Sequence, residues 1–256
     1  MLPLAPDSAP PETPGFGNCG RCPLWETGTF SLCYRCARSS LDQPSGAMCR
    51  ICGQQIATND RCANRLCFSA DRQFGWSVPI AMRVGELERA INAWKDNKKW
   101  GWGLILGRVL LGYLQDNRER FDQFDLIISS PSYRGASYDP RYDYTAFMLS
   151  EAQAQDDSGL PFVTDQPVII RTRPLRRMRE TRGYSERQDI ARDLRTALHV
   201  TRPQAVAGRS VLVFDDVFTT GHSVNETARA LRAAGARMVC QVVLARQPWP
   251  EYRCPR

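Results

Sequence analysis

The sequence predicts an α/β protein: an open, mainly parallel sheet flanked by helices, preceded by a cysteine-rich module. Three observations carry this. Apolar strand-like runs alternate with helical periodicity over the second half of the chain, as in parallel sheets. Eight of the ten cysteines lie at or before position 67. One segment, 211–223, runs from an apolar strand through two carboxylates and a Thr/Gly/Ser loop toward a helix.

The elements follow in order. Residues 84–115 carry apolar side chains at helical spacing: Val84, Leu87, Ala90, Ile91 and Trp94, then Leu104, Ile105, Val109, Leu110 and Leu114. The break at 98–101 divides them into two helices. A buried strand is expected from Asp125 to Pro131, and another over 167–170. Residues 134–165 are polar and acidic, with Asp139, Asp143, Glu151, Asp156, Asp157 and Asp165, and read as an insertion with a short helix at 144–153. Arg-rich 171–182 precedes a helix over 184–198. A strand at 211–214, a helix at 224–234 and a strand at 238–244 form a βαβ unit.

The first 75 residues are too short and too poor in apolar runs to fold on burial alone. Their cysteines supply the alternative. The pattern is Cys19-x2-Cys22, ten residues, Cys33-x2-Cys36, then Cys49-x2-Cys52, nine residues, Cys62-x4-Cys67. A Cys-x2-Cys turn presents two thiolates on one side, and two such knuckles make the four-sulfur tetrahedron that Zn²⁺ prefers. Two cages use all eight cysteines, and no histidine lies in the region. We therefore expect two structural zinc sites. A disulfide framework and an iron–sulfur cluster are the competing readings. Six Arg stand against five acids up to residue 67, short of the basic patch of a dedicated nucleic-acid binder.

Composition bounds the rest. The net charge is +7 with a pI near 9.0, which suits a polyanionic partner. The opening MLPLAPDSAPPETPG has no basic n-region and no signal-length apolar core, so 1–16 is expected to be a disordered Pro-rich tail of a cytoplasmic protein. The most apolar helical stretch, 104–114, contains Arg108 and is too short to span a bilayer, so no membrane partner is expected.

Segment 211–223, VLVFDDVFTTGHS, has a physical reading of its own. Backbone N–H groups of the loop and helix N-terminus form an anion site. Thr219, Thr220 and Ser223 add hydroxyl donors, and Gly221 admits a close backbone approach. Asp215 and Asp216 end the strand, where open α/β sheets bind ligands.

This segment resembles the phosphoribosyl-pyrophosphate motif of type I phosphoribosyltransferases. Together with the cysteine-rich N-terminus, it makes residues 17–247 similar to the ComF family, competence-associated proteins resembling amidophosphoribosyltransferases. Further matches are Trp94 to Lys99 leading into Leu106-Gly-Arg-Val-Leu, Arg179 to Gln188, and Asn225 to Gly235. The resemblance implies a double zinc ribbon over 17–75 and a type I phosphoribosyltransferase fold over 78–256. It implies that Asp215 and Asp216 serve catalysis by holding ribose hydroxyls, with Mg²⁺ accompanying phosphoribosyl pyrophosphate. The whole binding loop would be Asp215, Asp216, Val217, Phe218, Thr219, Thr220, Gly221, His222 and Ser223, its last five residues on the 5′-phosphate. Relatives follow their first core strand with Val-Pro-Val-Pro; this chain has Ile128-Ser-Ser-Pro-Ser-Tyr-Arg134 there. The diphosphate would meet Ser130, Ser132 and Arg134, and cations Arg176, Arg177 and Arg179 from a hood loop.

The implied activity is transfer of the phosphoribosyl group to a nitrogen acceptor with release of diphosphate. The competing expectation is a non-catalytic sensor of this ligand or a nucleotide, or a single-stranded DNA-binding protein linked to DNA uptake. The ribbons would then contact a protein partner or DNA. Trp94, Trp100 and Trp102 read as core or interface residues before they read as base-stacking platforms.

Overall fold

The computed structural model describes residues 41–42, 44, 46–56, 62–97, 101–136, 138–175 and 184–248. The expected tail at 1–16 and the first four cysteines, Cys19, Cys22, Cys33 and Cys36, lie outside these residues, as do Arg176, Arg177 and Arg179.

The sheet holds four strands: β1 (Ser77–Met82), β2 (Leu126–Ser129), β5 (Ser210–Phe218) and β6 (Met238–Arg246). Their order is β1-β6-β5-β2, and every neighbouring pair is parallel. Two short strands, β3 (Ile169–Arg171) and β4 (Leu198–Val200), pair antiparallel beside it. Five longer helices accompany the strands: α1 (Gly85–Lys95), α2 (Gly101–Asp116), α3 (Tyr144–Gln155), α4 (Tyr184–Ala197) and α5 (His222–Ala233).

Both faces of the sheet are covered, as parallel strands require. Alternation along β5 separates them. Leu212 and Phe214 join α1, α2 and α3 in one core, with Trp94, Leu106, Leu110 and Met148. Val211 and Val213 face the other core, with Val224, Ala228 and Leu231 of α5 and the cysteines of the N-terminal segment.

Helix α1 buries Leu87, Ala90, Ile91 and Trp94, the expected i, i+3, i+4, i+7 stripe. Glu86 and Glu88 in its first turn and Lys95 in its last suit the helix dipole. Trp94 packs edge-on against Tyr144 and Phe147, and Trp102 is also buried. Both are core residues rather than surface platforms. Trp100 is outside the described residues.

Segment 134–165 is not a surface excursion. Asp143 and Asp156 flank α3, with Asp143 capping Ala146 N at 3.4 Å, and Glu151 is buried within it, while Phe147, Met148, Leu149 and Ala152 enter the core. The close approach of α2 to α3 depends on glycine: a Cβ at Gly103 would lie 2.3 Å from Phe147 Cε1, and one at Gly107 2.9 Å from Met148 O. Gly103→Val is expected to cost about 3 kcal/mol by overpacking, read as a lowered urea midpoint at unchanged slope.

No helix among the described residues is long and apolar enough to cross a membrane.

Candidate functional site

Strand topology locates a crevice before any side chain is considered. β2 and β5 are parallel neighbours. The chain leaving β2 leads to α3 on one face of the sheet, and the chain leaving β5 leads to α5 on the other. Such a divergence opens a gap beyond the carboxyl ends of the two strands, where ligands of open α/β sheets bind.

A cavity of about 370 Å³ lies there. Ser130, Pro131 and Ser132 after β2 and Asp215 and Asp216 late in β5 form its floor. Lys95, Arg171 and the start of α3 at Tyr142 to Thr145 form its walls. It continues into a narrower space around Thr219, Thr220, Gly221, His222 and Ser223, with Asp215 common to both. The structure thus gathers the expected loop residues and two of the expected diphosphate residues, Ser130 and Ser132, around one opening.

The strand runs further than expected, through both carboxylates to Phe218, because the β6 ladder continues beside it: Asp215 pairs with Val243 and Val217 with Ala245. Asp215 accepts from its neighbour's N–H at 2.9 Å and lies 3.0 Å from Ser130 Oγ and 3.4 Å from Gln241 Nε2. Burial pushes its carboxyl up to about 6, against the opposing pull of Ser130, Lys95 and Arg171. Asp216 forms an ion pair with Lys95 of α1.

Arg171 reaches the cavity because its own N–H bonds Ser132 O at 2.8 Å, which draws the end of β3 against the segment after β2. Its Nε is buried without a hydrogen-bond partner, and its guanidinium feels Asp215 and Asp143. Burial lowers its pKa from the ordinary value; arginine stays charged regardless. Arg134 has a different employment: its Nη2 donates to Asp143 at 3.2 Å and its guanidinium stacks on Tyr138. Asp143 also takes hydrogen bonds from Ser132 and from Tyr138 Oη, the latter at 3.0 Å. Arg134 thus shapes the loop, and its Nε, like that of Arg171, is buried without a hydrogen-bond partner.

The loop's geometry is set by Gly221. It sits at the N-cap of α5 with φ 87°, left-handed backbone that glycine adopts without strain. A Cβ there would lie 2.6 Å from Phe218 Cζ.

A second cluster lies on the α5 side of the sheet. The Sγ atoms of Cys49, Cys52, Cys62 and Cys67 all fall within 4.8 Å of one another. Cys49 and Cys67 are 3.8 Å apart, Cys52 and Cys62 3.6 Å, and Cys62 and Cys67 3.9 Å. These are not disulfide lengths, and all four cysteines are free. The edge of a tetrahedron with ~2.3 Å metal–sulfur bonds is about 3.8 Å. The group can hold a metal ion. Contact with Cys52, Cys62 and Cys67 pushes the Cys49 thiol far down, while Cys49 and Cys52 push Cys62 and Cys67 up.

Another cavity of about 370 Å³ opens between this cluster and α4, beside Arg65, Arg195, His222 and Glu226. Glu226 there is already held by Arg195 at 2.7 Å and Arg229 at 3.0 Å. The crevice with the unpartnered Arg171 Nε is the better ligand site.

No protein-family model matches the sequence, and no curated protein matches it. Lys95 is the lining residue that the sequence did not single out, and Arg171 was visible only as one cation of the Arg-rich stretch. Lys95 ends the helix that precedes the break at 98–101 and Arg171 opens the Arg-rich stretch, but neither carries a local signal of lying near Asp215.

Proposed function

We propose that this chain is a ComF-like protein with a type I phosphoribosyltransferase fold that binds phosphoribosyl pyrophosphate with Mg²⁺ and transfers the phosphoribosyl group to a nitrogen acceptor. The observation that carries the proposal is the juxtaposition of an Asp215–Asp216 pair and an anion loop across a strand-divergence crevice.

Each part has a chemical task. Asp215 and Asp216 accept hydrogen bonds from the ribose hydroxyls. The 219–223 loop takes the 5′-phosphate with backbone and hydroxyl donors. Ser130, Ser132 and Arg171 meet the diphosphate, which gains negative charge as the bond to C1′ breaks. Arg171 suits that role because its desolvated cation has an unfilled donor. The C1′–O bond breaks, a C1′–N bond forms, and the nitrogen's proton goes to solvent or to a general base.

Mg²⁺ fits the same place. It prefers carboxylate, water and substrate oxygens, and Asp215 has accepting capacity beyond its present partners. When bound, it would neutralise charge on the departing diphosphate. The nearby thiol cluster is assigned to structural zinc, since all-sulfur tetrahedral sites favour it. The matching site proposed at Cys19, Cys22, Cys33 and Cys36 lies outside the described residues.

Calorimetric titration with phosphoribosyl pyrophosphate, with and without Mg²⁺, tests the proposal. Saturable, Mg²⁺-dependent binding is expected, followed by diphosphate release with the correct amine or nucleobase. Absent binding by a folded protein rejects it. Salt-dependent binding of single-stranded DNA in its place would favour a nucleic-acid role.

A further inference from the structure

We infer that Arg246 couples the four-cysteine metal site to the phosphate loop, so that metal occupancy sets the geometry of the anion-binding N–H groups.

Arg246 ends β6 and is completely buried. A buried guanidinium needs both acceptors and negative charge. On one side its Nη1 lies 2.9 Å from Phe218 O, 2.6 Å from Thr219 O and 3.1 Å from Gln247 O. Its carbon stacks over the Phe218 ring at 4.6 Å. On the other side Nε and Nη2 make no hydrogen bond of good geometry, and Cys52, Cys62 and Cys67 are the groups whose charge acts on the guanidinium. Four thiolates around a divalent ion carry a net charge of about −2, a buried dianion that calls for a cation. Arg246 answers that call and is itself left half-satisfied without it.

The same knuckle makes a second grip. Asn64 N donates to Cys62 Sγ at 3.4 Å, while Asn64 Nδ2 donates to Thr220 O at 3.1 Å. Three consecutive carbonyls, of Phe218, Thr219 and Thr220, are thus held from the metal side. In a trans peptide the C=O and the following N–H point in opposite directions. Fixing these carbonyls therefore turns the N–H groups of Thr219, Thr220 and Gly221 away from the metal, toward the narrow space that Asp215 shares with the loop. Successive N–H groups aimed at one concavity form an anion nest.

Arg246 and Asn64 are positioning residues in this scheme. The coupling is reciprocal: an anion that orders the loop also tightens the metal site. The contacts of Arg246 with the loop carbonyls and the bridge from Cys62 through Asn64 to Thr220 are geometric; only the identity of the anion rests on the proposed function.

Hydrogen exchange on the zinc-loaded full chain tests it. Residues 219–223 report the loop, and residues 211–214 of β5 serve as internal reference. Arg246→Met keeps side-chain volume but removes the charge, Cys52→Ser with Cys67→Ser removes the metal, and Asn64→Ala releases Thr220 alone. Exchange at 219–223 should accelerate on the order of tenfold in the first two variants and less in the third, with 211–214 unchanged. Arg246→Met should retain its zinc. Unchanged loop exchange in Arg246→Met, or equal loss of protection at 211–214, overturns the inference. Titration of the same wild-type sample with phosphoribosyl pyrophosphate separates the two ideas, because failure to bind rejects the ligand while the exchange result still decides the clamp.

Discussion

On the proposed function, replacing Asp215 and Asp216 together by Asn should weaken phosphoribosyl pyrophosphate binding by a factor of about 10 to 1,000, since two hydrogen bonds to charged groups at roughly 1.5–3 kcal/mol each are reduced to neutral ones at roughly 1 kcal/mol. Asn keeps the shape and one acceptor, so the fold survives and the loss reads on binding alone. Far-ultraviolet circular dichroism should be unchanged, and calorimetry should show the loss. The pH profile adds a sharper signature. Burial holds the Asp215 carboxyl up at about 6, while the proposed ligand's hydroxyls and Mg²⁺ would require its anion. Wild-type affinity therefore falls as pH drops through about 6, and Asp215→Asn flattens that step. Stability without ligand moves the opposite way. An acid whose folded pKa is raised contributes stability fully present below its unfolded value of 3.8 and lost as pH rises through about 6. Denaturant unfolding of the ligand-free protein at pH 5 and pH 7 checks the sign, with Asp215→Asn as the control.

The parts of this protein that could be read from sequence are those with dense local signals. β5, the loop and α5 follow one another without interruption, so apolar run, carboxylates, glycine and helix periodicity reinforce each other within a single stretch. The end of β5 was harder to see. Asp215 and Asp216 look like a turn in isolation, and only the β6 ladder keeps them extended. β1 carries Pro79, which argues against a central strand; it is an edge strand, where a missing N–H is tolerated. Strands β3 and β4 are three residues each and exist through their mutual pairing. The helix at 144–153 was legible, but the acidic composition of 134–165 concealed that it packs in the core. The crevice itself is a property of chain routing around β2 and β5. Lys95 and Arg171 enter it from α1 and β3, and no spacing rule links those positions to Asp215.

Withdrawing the metal from Cys49, Cys52, Cys62 and Cys67 should lower the thermal midpoint by about 10 °C. Free zinc at roughly 100 to 1,000 times its Kd stabilises a folded state by about 2.7–4.1 kcal/mol. In a domain of this size each kcal/mol moves the midpoint roughly 2–4 °C. The sheet should remain folded at room temperature, because the core around Trp94, Leu106 and Leu110 lies on the opposite face and contains none of the four cysteines. Elemental analysis of Cys52→Ser against wild type should show one zinc fewer per chain. Proton release gives an independent reading. The metal takes thiolates, whereas contact among the four sulfurs pushes Cys62 and Cys67 up and Cys49 down. Metal uptake must therefore expel protons, and the observed binding heat should change with the ionisation enthalpy of the buffer. Affinity should fall steadily as pH is lowered, because acid competes for the same sulfurs. A midpoint unmoved by chelation, with no buffer-dependent heat, would leave four neutral thiols in mutual contact at 3.6–3.9 Å. The cluster would then be ordinary apolar core, and Arg246 would need another source of negative charge.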